Sequence, residues 1–107
     1  MDIKGLRTVL NSTGLPVVYH SFQSSGLKVK QPPYIMYYLK NSDNTGADNK
    51  VYYKRNHYNI ELYTNKKDIA AEQKLEDAFD SASIFYEKTE SYIDEEKMFD
   101  ILYEIEI

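Results

Sequence analysis

Hydrophobic and polar side chains alternate along the end of the chain. Phe99, Ile101, Tyr103, Ile105 and Ile107 point one way, and Asp100, Glu104 and Glu106 the other. A period of two marks a strand with one face on a core and one in solvent. The same period closes a tyrosine-rich stretch, residues 52–64, where Tyr58, Ile60 and Leu62 oppose His57, Asn59 and Glu61. This stretch predicts one long strand running into a helix cap at Asp68. Beyond the cap the period changes to that of a helix: Ala71, Leu75, Ala78, Phe79 and Ala82 form an apolar stripe, with the acids, Gln73 and Lys74 facing out.

The remaining elements follow from similar local signals. Residues 2–13 predict a helix capped by Asp2, with Ile3, Leu6 and Leu10 on one stripe; Gly14 suits a left-handed terminus, and Pro16 forbids continuation. Residues 17–22 form a β-branched and aromatic run, followed by turn residues 23–26. Residues 34–39 are apolar on both faces, which implies either a central strand covered on both sides or a strand covered by another subunit. Residues 41–49 are the most polar run and read as a loop too long for a two-residue hairpin turn. Strand character returns over residues 84–88, and the acids at 94–96 reverse the chain. The predicted order is α-β-β-β-α-β-β: an α+β fold in which two helices pack a mainly antiparallel sheet of about five strands.

Composition narrows the class. A chain of 107 residues supports one domain, residues 1–107, with a modest core. With 42% hydrophobic and 28% charged residues, disorder is not the expectation. No cysteine is present, so thiolate nucleophiles, disulfides and zinc–sulfur sites are excluded. No secretory pattern opens the sequence and no apolar run approaches membrane-spanning length, so neither secretion nor a membrane is expected. The net charge of −4 argues against specific nucleic-acid binding. Lys50, Lys54, Arg55, Lys66 and Lys67 form a local basic group that reads as the wet face of the central strand.

Candidate chemistry is sparse. His20 and His57 lie on separate elements with no third ligand, so no metal site is expected. The Asp43–Asn49 segment has the oxygen-rich texture of a calcium loop but fails its spacing and lacks the bidentate Glu. The carboxylates Asp94, Glu95, Glu96, Asp100, Glu104 and Glu106 line a turn and an outer strand face, where ordinary ionisation is expected. There is no nucleophile elbow, phosphate loop or dinucleotide fingerprint. The reading is of a non-enzymatic protein without a cofactor.

Tyrosine is the distinctive residue, with 11 Tyr against 4 Phe and no Trp. Phenol rings suit surfaces that are half-buried in a monomer and covered in a complex. Neighbouring strand residues point to opposite faces, so one ring of each doublet, Tyr37–Tyr38 and Tyr52–Tyr53, looks away from the helix-covered core. Such rings are either simply exposed or part of a protein interface. The candidate interface comprises Tyr37, Tyr38, Asp43, Asn44, Asp48, Asn49, Tyr52 and Tyr53.

The order of these segments resembles small tail-terminator or tail-completion proteins of tailed bacteriophages and prophages of Gram-positive bacteria. The resemblance is carried by Pro33-Tyr34-Ile35-Met36-Tyr37-Tyr38, Ser42-Asp43-Asn44, Ala47-Asp48-Asn49-Lys50-Val51-Tyr52-Tyr53, the run from Tyr58 to Asp68, Phe85-Tyr86-Glu87-Lys88 and Tyr103-Glu104-Ile105-Glu106-Ile107. It implies a structural protein of the virion neck, assembled in the host cytoplasm, whose copies form a ring, usually hexameric. The ring would cap the tail tube protein and meet the head-completion or connector protein. DNA would pass through it, and the acidic face of the last strand would repel that DNA. The alternatives are another head–tail connector component, or a small acidic host regulator of antitoxin type.

Overall fold

The computed structural model describes residues 1–28, 31–47 and 50–107, with backbone alone for residues 45–47 and 50–53. In chain order the elements are α1 (Ile3–Asn11), β1 (Val17–Tyr19), β2 (Tyr34–Ser42), β3 (Thr45–Ala47), β4 (Lys50–Tyr53), β5 (Asn56–Thr64), α2 (Ile69–Ser81), β6 (Tyr86–Ile93) and β7 (Met98–Glu106). Five strands form one sheet in the order β1-β2-β5-β7-β6, and β3 and β4 pair separately. All neighbours in the large sheet are antiparallel except β1 and β2. The molecule is an α+β fold with both helices on one face of a mainly antiparallel sheet.

Both helices begin at the predicted caps. The Gly5 amide donates to Asp2 at 2.9 Å, and the Ala71 amide donates to Asp68 at 3.0 Å. Gly14 follows α1 at φ +78°, a conformation open to glycine because it lacks a Cβ. Leu6 and Leu10 of α1, and Leu75 and Phe79 of α2, are fully buried against Ile35, Ile60, Leu62, Ile101 and Tyr103 of the sheet. Each fully buried Leu, Ile or Phe is worth about 1.5–3 kcal/mol relative to exposure, and these residues form one continuous cluster. The two central strands supply most of the sheet side of that core, as their alternation predicts.

Four local expectations are revised. The long strand over 52–64 is two strands, β4 and β5, interrupted at the exposed Lys54 and Arg55. The Arg55 carbonyl accepts from the Asp43 amide at 2.7 Å, which closes the base of the β3–β4 hairpin. The polar segment 41–49 is therefore partly strand, because β2 runs on to Ser42 and β3 follows. The first strand ends at Tyr19: His20 takes φ +68°, and the turn beyond it folds Phe22 onto Tyr34, ring centroids 4.9 Å apart. The strand expected over 84–88 begins at Tyr86 and continues to Ile93.

Glu72 is a further correction. It faces inward at 3% exposure, although the acids of α2 were expected to face out. Its Oε1 lies 2.7 Å from Lys88 Nζ, and its Oε2 lies 2.7 Å from Lys67 Nζ. Lys88 also reaches Glu76 at 2.8 Å, and Glu76 accepts from the hydroxyls of Tyr103 at 2.7 Å and Tyr86 at 3.1 Å. Lys67 continues the chain of ion pairs to Glu90 of β6. Burial alone would raise the pKa of Glu72, but the hydrogen bonds from Lys67 and Lys88 outweigh it and hold the carboxyl below its usual range. Burial likewise pushes Lys88 down while Glu72 and Glu76 raise it further, so the ammonium stays charged.

Removing one member of such a network leaves a buried charge short of a partner, which costs more than the intact pair contributes. Lys88→Met is expected to destabilise the fold by about 2–3 kcal/mol, less than the loss for a fully buried pair because Lys67 remains and Lys88 is itself partly exposed. Urea unfolding checks this, and a loss within the scatter of surface substitutions would overturn the reading.

Candidate interaction face

The helices cover one face of the sheet and leave the other to the strands and the turn after β1. Tyr34, Met36 and Tyr38 of β2 lie on this second face, beside Asn59, Glu61 and Tyr63 of β5 and Asp100, Leu102 and Glu104 of β7. At one end Phe22 and Val18 fold over Tyr34, with Met36 and Tyr63 packed alongside. Tyr34 and Tyr63 rings lie 5.2 Å apart. The apolar strand 34–39 is thus covered on its second face by this chain's own turn at its start. Towards Tyr38 it is only half-buried.

Each sequence-predicted interface residue has a definite place or lies outside the description. Tyr37 is 3% exposed, its ring 5.0 Å from that of Tyr19, and belongs to the core. Tyr38 is the outward member of its doublet and accepts from Asn59 Nδ2 at 3.3 Å. Asp43 and Asn44 are exposed at the base of the hairpin. Asp48 and Asn49 lie outside the described residues, as do the side chains of Tyr52 and Tyr53 on β4. The fold therefore separates Tyr38, in the middle of the large sheet, from Asp43 and Asn44, at the root of the small one.

A pair of carboxyls on the second face was not anticipated. Burial first, and then the hydrogen bond and negative charge of Glu61, push Asp100 up to about 8. This corrects the expectation that the outer carboxylates ionise normally. Burial, with Asp100 and Glu61 alongside, also pushes the Tyr63 hydroxyl up, so it keeps its proton and donates to Glu61 Oε2 at 3.2 Å. Asp100 Oδ1 and Asn59 Oδ1 are buried oxygens without a hydrogen-bond partner among the described residues. The pairing of β5 with β7 brings the carboxyls together by setting Glu61 opposite Leu102 and Tyr63 opposite Asp100.

The rest of this face is less negative than its sequence. Lys40 Nζ lies 3.2 Å from Glu104, and Arg55 Nε lies 3.8 Å from Glu106. Both pairs are solvent-exposed, worth roughly 0–1 kcal/mol, and each sets a cation beside a carboxylate of the acidic stripe. His20 bonds within its own turn, Nδ1 to Ser24 Oγ at 3.1 Å, whereas His57 sits in β5 opposite Glu106. Among the described residues no three His, Asp or Glu side chains gather as metal ligands, and no helix is long and apolar enough to cross a membrane. No protein-family model matches the chain, and no curated protein compared with it matches.

Asp100 makes stability depend on pH with a definite sign. Its folded pKa lies above the unfolded value of 3.8, so the folded state holds the extra proton between roughly pH 4 and 8. Stability is expected to fall as pH rises through this interval. The depressed carboxyls Glu72 and Glu76 act oppositely, but below it. Asp100→Asn is expected to raise the melting temperature by at least a few degrees at pH 8, with the gap narrowing as pH falls and closing near pH 4. A gap that stays constant with pH would refute this assignment.

Proposed function

We propose that this protein is a structural component of the neck of a tailed bacteriophage or prophage, a tail-terminator or tail-completion protein. In this reading its copies form a ring that ends the tail tube and meets the head connector. The observation that carries it is the separation of contact surfaces on one small, elongated subunit of 50 × 29 × 23 Å. The half-buried sheet face around Tyr38 is one such surface. The β3–β4 hairpin, paired apart from the main sheet, is another. A subunit in a ring between two unlike structures needs several different patches, because head-to-tail contacts bring dissimilar surfaces together. The segments that carry the family resemblance include both the Tyr38 strand and the hairpin.

Loss of the gene tests the role directly. In electron micrographs of lysates it is expected to leave tails of irregular excess length, or finished tails without heads; normal virions would sink the proposal. Replacing Asp43 and Asp48 together with Ala is expected to reduce assembly on tail tubes severalfold. Surface substitutions away from packed features change stability by about 0.5 kcal/mol or less, so the melting temperature should stay within a few degrees. An equal loss of stability and assembly would remove the hairpin from the contact.

A further inference from the structure

The outer edge of the large sheet is β6, whose eight residues pair with β7 along their whole length. Its other edge has no strand beside it among the described residues. Tyr86, Lys88, Glu90 and Tyr92 share the helix-covered face, opposite Ile105, Tyr103, Ile101 and Phe99. Glu87, Thr89, Ser91 and Ile93 share the other face. Charged edge strands usually keep other strands away. The order of the charges here does the reverse when the strand meets a copy of itself.

We infer that β6 pairs with the β6 of a second copy, antiparallel about a two-fold axis through Thr89, to make one continuous ten-stranded sheet. A two-fold axis relating antiparallel edges stands normal to the sheet, so both pairs of helices lie on the same side. Directly opposed residues must then come from the same face, which restricts the centre of pairing to a single residue. Centring on Lys88 opposes two lysines, and centring on Glu90 opposes two glutamates; like charges directly opposite are unfavourable.

Centring on Thr89 sets Lys88 against the second copy's Glu90, Tyr86 against its Tyr92, and Glu87 against its Ser91. One step further it sets Phe85 against Ile93. Phe85 and Tyr92 are 79% and 47% exposed in the monomer, so the pairing covers two of its most exposed aromatic rings. It also joins the Glu72–Lys88–Glu76 ion pairs of one copy to the Lys67–Glu90 pair of the other.

The inference is independent of the neck assignment. A two-fold dimer has identical ends, whereas a ring between tube and head has unlike ones. The dimer therefore describes the free protein, and the edge must open before such a ring closes.

Sedimentation velocity over a concentration series tests the pairing. Thr89 is exposed and takes no part in the ion-pair network, so Thr89→Lys and Thr89→Glu each leave the monomer folded, with circular dichroism as the control. The parent protein is expected to be a dimer at high concentration. Each variant is expected to weaken the dimer roughly fivefold or more by placing like charges across the axis, and an equimolar mixture of the two to restore it. A parent that stays monomeric throughout, a dimer indifferent to both substitutions, or a mixture no tighter than either variant alone would overturn the proposal.

Discussion

Two short helices carry enough apolar surface to cover one face of a five-stranded sheet, and the second face must be managed by other means. On the covered side Leu6, Leu10, Leu75 and Phe79 close over β5 and β7, and the core is continuous. On the other side Val18 of β1 and Phe22 of the turn after it pack over Tyr34, and beyond them the sheet shields itself with side chains alone. Tyrosine suits that position because its ring is apolar while its hydroxyl can meet a polar neighbour, as that of Tyr38 does with Asn59.

The same asymmetry sorts the charges. Under α2 the carboxyls are matched: Glu72 and Glu76 meet Lys67, Lys88 and two phenols, so they stay ionised despite burial. On the open face Glu61 and Asp100 meet each other, with no cation between them, and Asp100 keeps a proton that a solvated carboxyl would lose. One arrangement ties a helix to a sheet edge. The other keeps a carboxyl protonated, because burial and a neighbouring carboxylate disfavour its charge.

The ionised residues under α2 are paired with cations and phenols, and Asp100 on the other face is held protonated by burial and the neighbouring Glu61. The molecule presents surface of several kinds: a tyrosine-bearing sheet face, the β3–β4 pair apart from the main sheet, and the edge strand β6, which has no second neighbour among the described residues. In the proposed neck role such a set would let each face meet a different neighbour.

The elements with strict local periodicity were legible in the sequence. β7, the second half of the tyrosine stretch, both helix caps and the α+β layering depend on neighbours a few residues away, and their patterns carry that information. Tertiary structure decided what depends on distant partners. Glu72 lies three and seven residues before Leu75 and Phe79, a stripe position that the wider alanine-containing stripe obscured; it is buried because Lys88 arrives from another element to neutralise it. The proton on Asp100 depends on burial and then on Glu61 of the neighbouring strand, and at the break the Arg55 carbonyl meets the distant Asp43 amide. Sequence alone set the period of each element, because sterics and alternation act along the chain. Only the fold set which charges meet, because desolvation and Coulomb interaction act through space.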